Sequence, residues 1–153
     1  MAKVFEDYFT ELQADMIDIC MEYANDKADT IYIYCSSEKE RILSSFFYVI
    51  NGKAVRKHKL DDALSTEELK RYSYQITDEK QKLTSNVMRD DIEKMQTLCK
   101  EHNKEMPTEI KIVYDVKENK MLANYKYKIV YKGKVLFYEP FDEWFEEIKK
   151  QHP

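Results

Sequence analysis

The sequence predicts an α+β fold, in which an antiparallel sheet built from two β-meanders has N-terminal, middle and C-terminal helices packed on it. Two groups of segments alternate apolar and polar residues, which is the period of half-buried strands. Other stretches repeat apolar residues every three or four positions, which is the period of a helix lying on a core. We expect the helices to lie on one face of the sheet and all 153 residues to form a single domain.

A helix and its exit loop are predicted for the first thirty residues. Apolar side chains recur there at a spacing of three or four over about five turns, as a packing face requires. The predicted face consists of Phe5, Tyr8, Phe9, Leu12, Met16, Ile19, Cys20 and Tyr23.

Carboxylates form a second stripe on the same predicted helix. Residues 1–29 contain eight acidic residues and two lysines, so this segment carries a charge of −6 while the whole chain carries −4. Like charges four apart destabilise a helix by roughly 0.2–0.5 kcal/mol each, a penalty that a basic partner would offset. The stripe is therefore either a solvated face or a surface for a basic partner. It consists of Asp7, Glu11, Asp15, Asp18 and Glu22.

Three predicted strands follow the helix. Residues 30–35 and 42–50 are rich in β-branched and aromatic side chains, and the second, more apolar segment is expected to be central. Asn51-Gly52 predicts a two-residue type I′ turn. Residues 53–60 should return as a basic edge strand, because lysines at an edge discourage unwanted strand pairing. Contact with nucleic acid is the alternative explanation of this basic run.

The middle of the chain, residues 61–106, has a less regular pattern. Ser65 and Glu68 have the spacing of a capping box at a helix N-terminus. Residues 72–77 fit either a helix or a strand, and residues 78–85 are polar enough for a loop or a frayed helix.

A clearer helical pattern begins at Asn86. It should end near His102, ahead of Pro107, which cannot continue a helix. The apolar stripe of this predicted helix consists of Met88, Ile92, Met95, Leu98 and Cys99.

A β-meander is predicted for the next part of the chain. Residues 109–115 and 121–131 alternate like paired strands of a hairpin, and a Lys-Gly-Lys turn leads into a third strand at residues 135–138. Pro140 then ends the strand pairing because it has no N–H group to donate. Asp142 is expected to be the N-cap of the final helix. The apolar stripe of that helix consists of Phe141, Trp144, Phe145 and Ile148.

Composition argues against several classes of protein. A hydrophobic content of 43% with 13% aromatic residues is enough for a core, so we do not expect disorder. Three cysteines without a repeated spacing argue against a disulfide framework. No apolar run reaches the ~20 residues that span a membrane, and a net charge of −4 argues against a typical nucleic-acid-binding protein. We expect a cytoplasmic protein with reduced thiols, no membrane partner and no direct contact with nucleic acid.

No motif in the sequence specifies a reaction. Two glycines cannot supply a glycine-rich phosphate loop, and neither the zinc-protease nor the nucleophile-elbow pattern occurs. Cys99 and His102 lie one helical turn apart, but we expect a packed cysteine and a surface histidine rather than a nucleophile pair or metal site. The carboxylates of the C-terminal helix are expected to face solvent. We therefore expect no enzyme activity, no catalytic residue, no metal site and no cofactor.

Two stretches carry a resemblance to a known family. They are MPTEIKIVYDVKENKMLANYKYKIVY and, after a gap, FDEWFEEIKK. Together with the N-terminal layout of an amphipathic helix and a strand pair, they resemble the YezG-type antitoxin or immunity family of bacteria. The shared positions are Ile110, Tyr114, Asp115, Tyr125, Tyr127, Phe141, Glu143, Trp144 and Phe145.

The resemblance implies that the chain is an inhibitor in a polymorphic-toxin system. Such proteins stay in the cytoplasm of the producing cell, where each binds a cognate toxin domain, commonly a nuclease, and neutralises it stoichiometrically. A nuclease presents positive charge to phosphates, so an acidic helix is a suitable counter-surface. We expect a monomer or a homodimer. The expected toxin contacts are Asp15, Asp18, Glu22, Glu143, Glu146 and Glu147.

Two other classes of function remain open at this point. One is a small α+β enzyme or ligand-binding domain with a pocket between sheet and helices, lined by Tyr125, Tyr127 and Tyr131. The other is a general interaction adaptor, against which an adjacent toxin gene would count.

Overall fold

A computed structural model describes residues 4–38, 41–128 and 139–153 of the chain. Within this part, helices and an antiparallel sheet both occur, and the predicted α+β class is confirmed. The helices are α1 (Phe5–Tyr23), α2 (Thr66–Leu69), α3 (Asp78–Glu101) and α4 (Glu139–Gln151), with a 3₁₀ turn at Leu60–Ala63. The strands are β1 (Thr30–Glu38), β2 (Arg41–Ile50), β3 (Lys53–Arg56), β4 (Glu109–Asp115) and β5 (Lys120–Lys126).

The five described strands form one sheet in the order β3-β2-β1-β4-β5. β1 pairs with β2 on one side and with β4 on the other, so Ile33 lies between Phe46 and Ile112. The middle strand is therefore β1, and the expectation that residues 42–50 would be central is wrong. β3 is an outer strand of the described sheet, as predicted.

The turn residues of the β2–β3 and β4–β5 hairpins have the backbone angles that tight turns require. Asn51 and Gly52 have φ values of 52° and 77°, which a type I′ turn requires, so this prediction is confirmed. The hairpin of β4 and β5 is also confirmed, and Asn119 in its turn has a φ of 53°. β5 ends at Lys126, and the predicted third strand at residues 135–138 lies outside the described residues.

One face of the sheet is covered by α1 and α3. Met16 and Cys20 of α1 and Met88 and Met95 of α3 are fully buried against the inward side chains of β1, β2 and β4. The predicted packing face of α1 is confirmed with one exception, because Tyr8 is 40% exposed. The additional buried residues of α1 are Gln13 and Ile17.

The opposite face of the sheet is covered by α4. Phe141, Trp144 and Phe145 pack against Tyr32 and Phe47, which point away from α1 and α3. The aromatic stripe is thus confirmed, but the expectation that the helices share one face is wrong. The physical reason is that β1 and β2 are buried on both faces, so each of their faces needs a helical cover.

Two helices begin earlier than predicted. α3 starts at Asp78 because the Thr77 side chain accepts a hydrogen bond from the Lys80 N–H, so residues 78–85 are regular helix rather than a loop. α4 starts at Glu139, and Pro140 lies in its first turn, where a missing N–H costs nothing. Asp142 is therefore inside the helix, and its prediction as N-cap is wrong.

The capping box predicted in the middle of the chain is present. The Ser65 side chain accepts from the Glu68 N–H, and Glu68 in turn accepts from the Ser65 N–H. The helix that it begins, α2, is four residues long, and residues 72–77 form neither of the predicted alternatives. Tyr74 is nevertheless buried, and its hydroxyl donates to the Lys27 carbonyl at 2.6 Å.

None of the helices in the described ranges is both long and apolar enough to cross a lipid bilayer.

Candidate functional site

A groove with a volume of about 630 Å³ lies between α1 and α3 on the outer side of the molecule. It forms because the two helices pack side by side on the sheet and turn their polar edges towards each other. Six of the side chains along it are acidic, and the basic one among its described lining residues is Lys94. The acidic residues are Glu11, Asp15, Asp90, Asp91, Glu93 and Glu101.

Asp91 lies at the floor of this acidic groove. Only 2% of the residue is exposed, and its Oδ2 atom is shielded from solvent and meets no N–H or hydroxyl donor in the part of the chain that the structure describes. The carboxyl group of Asp15, which reaches across from α1, is within hydrogen-bond distance of Asp91. Two ionised carboxylates can only accept hydrogen bonds, so this pair needs a proton on one of its members.

Burial is the main cause of a raised pKa at Asp91, because it disfavours the charged form. The hydrogen bond with Asp15 and the negative charge of Asp15 act in the same direction, and Lys94 opposes them. Together these effects raise the pKa of Asp91 to about 7. Asp91 is therefore protonated in an appreciable fraction of molecules at neutral pH.

Three apolar or aromatic side chains line the groove between the acidic ones. Leu12 of α1 and Leu98 of α3 are half-buried, and Tyr8 exposes part of its ring at the same groove. Such a combination suits a long amphipathic side chain, whose methylene stem contacts the walls while its charged end reaches the carboxyl groups.

The structure places the predicted contacts of the N-terminal helix on one exposed surface. Asp15 lines the groove, while Asp18 and Glu22 continue the stripe along the same helix. Glu22 is close enough to Lys80 for its charge to oppose the lowering of the Lys80 pKa that burial causes. These three residues thus extend the acidic surface beyond the groove.

The predicted contacts on α4 form a separate patch. Glu143, Glu146 and Glu147 line a shallower groove of about 450 Å³ on the other side of the sheet. Arg56 offsets part of this charge, since its guanidinium lies 2.8 Å from Asp142 and 3.8 Å from Glu146. The fold therefore does not bring the two sets of predicted contacts together.

Tyr125 and Tyr127 line a third groove, of about 360 Å³, together with Phe5 and Phe9. The Tyr125 hydroxyl accepts a hydrogen bond of 2.7 Å from the buried Gln13 side chain. The predicted gathering of these two tyrosines at one pocket is confirmed. The third predicted tyrosine, Tyr131, lies outside the described residues.

Cys99 and His102 are arranged as predicted. The Cys99 thiol is buried, 3.8 Å from the Met106 sulfur, and burial raises its pKa. His102 is exposed and its ring lies 5.6 Å from that of Phe5. Across the described ranges, no three His, Cys, Asp or Glu residues are grouped as a metal site would require.

Asp91 is not among the predicted site residues, although its position in the sequence is unusual for an acidic residue. It lies three residues after Met88 and four before Met95, so it falls on the apolar stripe of α3 rather than on the polar face. An acidic residue in such a position is either paired or neutral.

Comparison with known proteins does not assign a family. No protein-family model matches the chain, and no curated protein is significantly similar to it in sequence.

Proposed function

We propose that the chain is an immunity protein that neutralises a basic toxin domain by stoichiometric binding, without catalysis, in the cytoplasm of the producing cell. The observation that carries the proposal is the acidic surface of α1 and α3, where six carboxyl groups line one groove beside a single lysine. The resemblance of residues 107–149 to antitoxins is the reason for proposing a toxin domain as the partner.

The size of this surface supports a protein partner. Helices of 19 and 24 residues are about 28 and 36 Å long. Side by side, at an axial distance of about 8–10 Å, they offer several hundred Å², which approaches the roughly 800 Å² that each partner contributes to a standard interface. Neighbouring loops need to add only a modest area.

Charge supports a basic partner in particular. Concentrated negative charge on one surface attracts a positively charged protein and can raise its association rate towards ~10⁸–10⁹ M⁻¹s⁻¹ at low salt. A nuclease domain that binds phosphates has the matching charge. Covering that basic site would exclude the nucleic acid, which is a direct route to inhibition.

Co-purification tests the proposal. The chain, tagged at one end, would be isolated from cells of its natural source with the toxin locus expressed, and its companions would be identified by mass spectrometry. We expect one companion at a 1:1 ratio that carries a basic C-terminal domain. A companion without a basic domain, or none under these conditions, would contradict the proposal.

The tyrosine-lined groove favours a second candidate, a ligand-binding domain. Its volume of about 360 Å³ falls within the usual range of small-molecule sites, and four of its ten lining residues are aromatic. Native mass spectrometry of the purified protein tests this candidate. A retained small molecule that is lost in Tyr125→Ala would favour it over the immunity function.

A further inference from the structure

We propose that Asn51 is a deamidation site that the fold protects, and that deamidation there disconnects the β2–β3 hairpin from residues 60–69. The inference is independent of the proposed function. It concerns a covalent change within the chain that needs only water as a reactant.

The β2–β3 turn combines the two residues that this reaction requires. The Gly52 nitrogen attacks Cγ of the Asn51 side chain, a C–N bond forms, and Nδ2 leaves as ammonia after receiving the Gly52 amide proton through water. Water then opens the resulting cyclic imide at either carbonyl and leaves aspartate or isoaspartate. Gly52 has no side chain to hinder the attack, and an added Cβ there would meet no atom within 4 Å. Both residues are exposed, so water reaches them.

The first protection acts on the attacking nitrogen. The Gly52 N–H donates a hydrogen bond of 2.9 Å to Asp29 Oδ2. The nitrogen attacks after it has lost its proton, and the hydrogen bond favours the protonated state because only an N–H group can donate it. The neighbouring carboxylate also disfavours the negative charge that loss of the proton creates. Asp29 therefore slows the formation of the nucleophile.

The second protection acts on the side chain that is attacked. Asn51 Nδ2 donates to the Ala63 carbonyl at 3.0 Å and to the two oxygens of the Glu68 carboxylate at 3.0 and 3.3 Å. Several hydrogen bonds, first of all that from the Ser65 N–H, lower the pKa of Glu68, so its bond with Asn51 is charge-assisted. Cyclisation removes Nδ2 from the residue and breaks all of these bonds. The barrier is therefore higher in the folded protein than in the unfolded chain.

The products of the reaction cannot restore the connection. Aspartate at position 51 has no amide to donate to Ala63, and it places a second negative charge beside Glu68. Isoaspartate also adds a methylene group to the main chain of a two-residue turn whose φ values are 52° and 77°. The 3₁₀ turn and α2 thus lose these hydrogen bonds to the hairpin. Because the reaction is irreversible, modified molecules accumulate wherever the turn has opened.

Deamidation kinetics test the protection. The protein is incubated at pH 8, and mass spectrometry follows the mass increase of the tryptic peptide 42–53, which contains Asn51 and no other asparagine. We expect conversion in the folded protein to be at least about tenfold slower than in the chain unfolded by guanidinium chloride. Equal rates in the two states would overturn the inference.

Four variants separate the local contacts from global stability. Asp29→Ala removes the acceptor of the Gly52 N–H and Glu68→Ala removes the charged acceptor of Asn51, so each should speed conversion about five- to tenfold. Glu67→Ala is the matched control on the same helix, and Ile110→Val removes a buried methyl group at the opposite end of β1 from the turn. Both should leave the rate within about twofold. Unchanged rates in the first two variants, or an equal acceleration in the two controls, would overturn the inference.

Hydrogen exchange tests the loss of the connection. Asn51→Asp reproduces one of the two products and should speed amide exchange in residues 60–69 about tenfold, while exchange in α3 stays as in wild type. Asn51→Gly keeps a residue suited to positive φ and introduces no charge, so it should produce a smaller increase. Unchanged exchange in residues 60–69 of Asn51→Asp would contradict the inference.

Discussion

At the scale of single residues, Asp91 connects the packing of α3 with the stability of the fold. Its pKa is raised to about 7, above the ~3.9 of an unfolded aspartate, chiefly by burial. Between these values the unfolded chain loses a proton that the folded chain retains. Its stabilising contribution is therefore complete below pH ~4 and is lost as the pH rises through about 7.

Asp91→Asn should remove this pH dependence. We expect the variant to gain on the order of 1–3 kcal/mol relative to wild type at pH 8, and little or nothing at pH 4, because asparagine has no charge to bury. Urea denaturation at both pH values measures the difference. The same difference at pH 4 and pH 8 would mean that Asp91 does not titrate between them.

The Tyr34–Glu109 pair gives a second prediction at this scale. Glu109 is 2% exposed and accepts a 2.6 Å hydrogen bond from the Tyr34 hydroxyl, while Lys126 lies 3.5 Å away. Tyr34→Phe should lower the free energy of unfolding by about 1.5–3 kcal/mol, since a buried carboxylate loses a donor. A double-mutant cycle with Glu109→Gln isolates the pair, and strictly additive effects would show that the two side chains are not coupled.

The buried residues of α1 could be predicted from the sequence where the local apolar pattern is strong. The helical period identified four of the six buried residues of α1, yet it placed Tyr8 inside and missed Gln13 and Ile17. Gln13 is buried because Tyr125, 112 positions away in the sequence, accepts its hydrogen bond. Such a partner is supplied by the tertiary fold, which a hydrophobic pattern does not encode.

At the scale of elements, α4 is held mainly by its aromatic stripe. Trp144 packs edge-on against Tyr32 at 5.5 Å and Phe47 at 5.3 Å between ring centres, and it is buried. The ion pair of Arg56 with Asp142 is partly exposed and contributes less. The helix therefore depends on the burial of a few large rings.

Trp144→Ala should destabilise the protein by about 3–5 kcal/mol, because it removes the largest ring of this layer and leaves a cavity. Lys149→Ala, an exposed position on the same helix, should change stability by less than about 0.5 kcal/mol. Denaturant unfolding measures both variants. Equal stabilities would mean that α4 is not part of the cooperative core.

The sequence predicts the existence of strands, turns and helices with regular patterns correctly, but it predicts where the helices begin less accurately. The bounds of β4 and the Asn51-Gly52 turn match the prediction because alternation and turn chemistry are local. The predicted start of α3 at Asn86 is wrong because the first two turns of the helix are polar, so an apolar period cannot indicate them. Pro140 predicts the end of a strand because it lacks an N–H group, but proline is equally suited to the first turn of a helix, where the structure places it.

At the scale of the whole molecule, the sheet separates two acidic patches. α1 and α3 lie on one side and α4 on the other, so the six predicted contacts divide into two sets of three. This division follows because β1 and β2 are buried on both faces, with α1 and α3 covering one face and α4 the other. Charge counts along the sequence could identify both patches but could not show that they face opposite directions.

The most direct test of the account compares these two sets in binding to the partner recovered by co-purification. One variant carries Asp15→Lys, Asp18→Lys and Glu22→Lys, and its matched control carries Glu143→Lys, Glu146→Lys and Glu147→Lys. Each variant replaces three negative charges with three positive ones, so the net charge changes by the same amount in both. We predict that the α1 variant binds about 100-fold more weakly than wild type while the α4 variant stays within a few-fold. The reverse order, or equal losses, would contradict the claim that α1 and α3 form the binding surface.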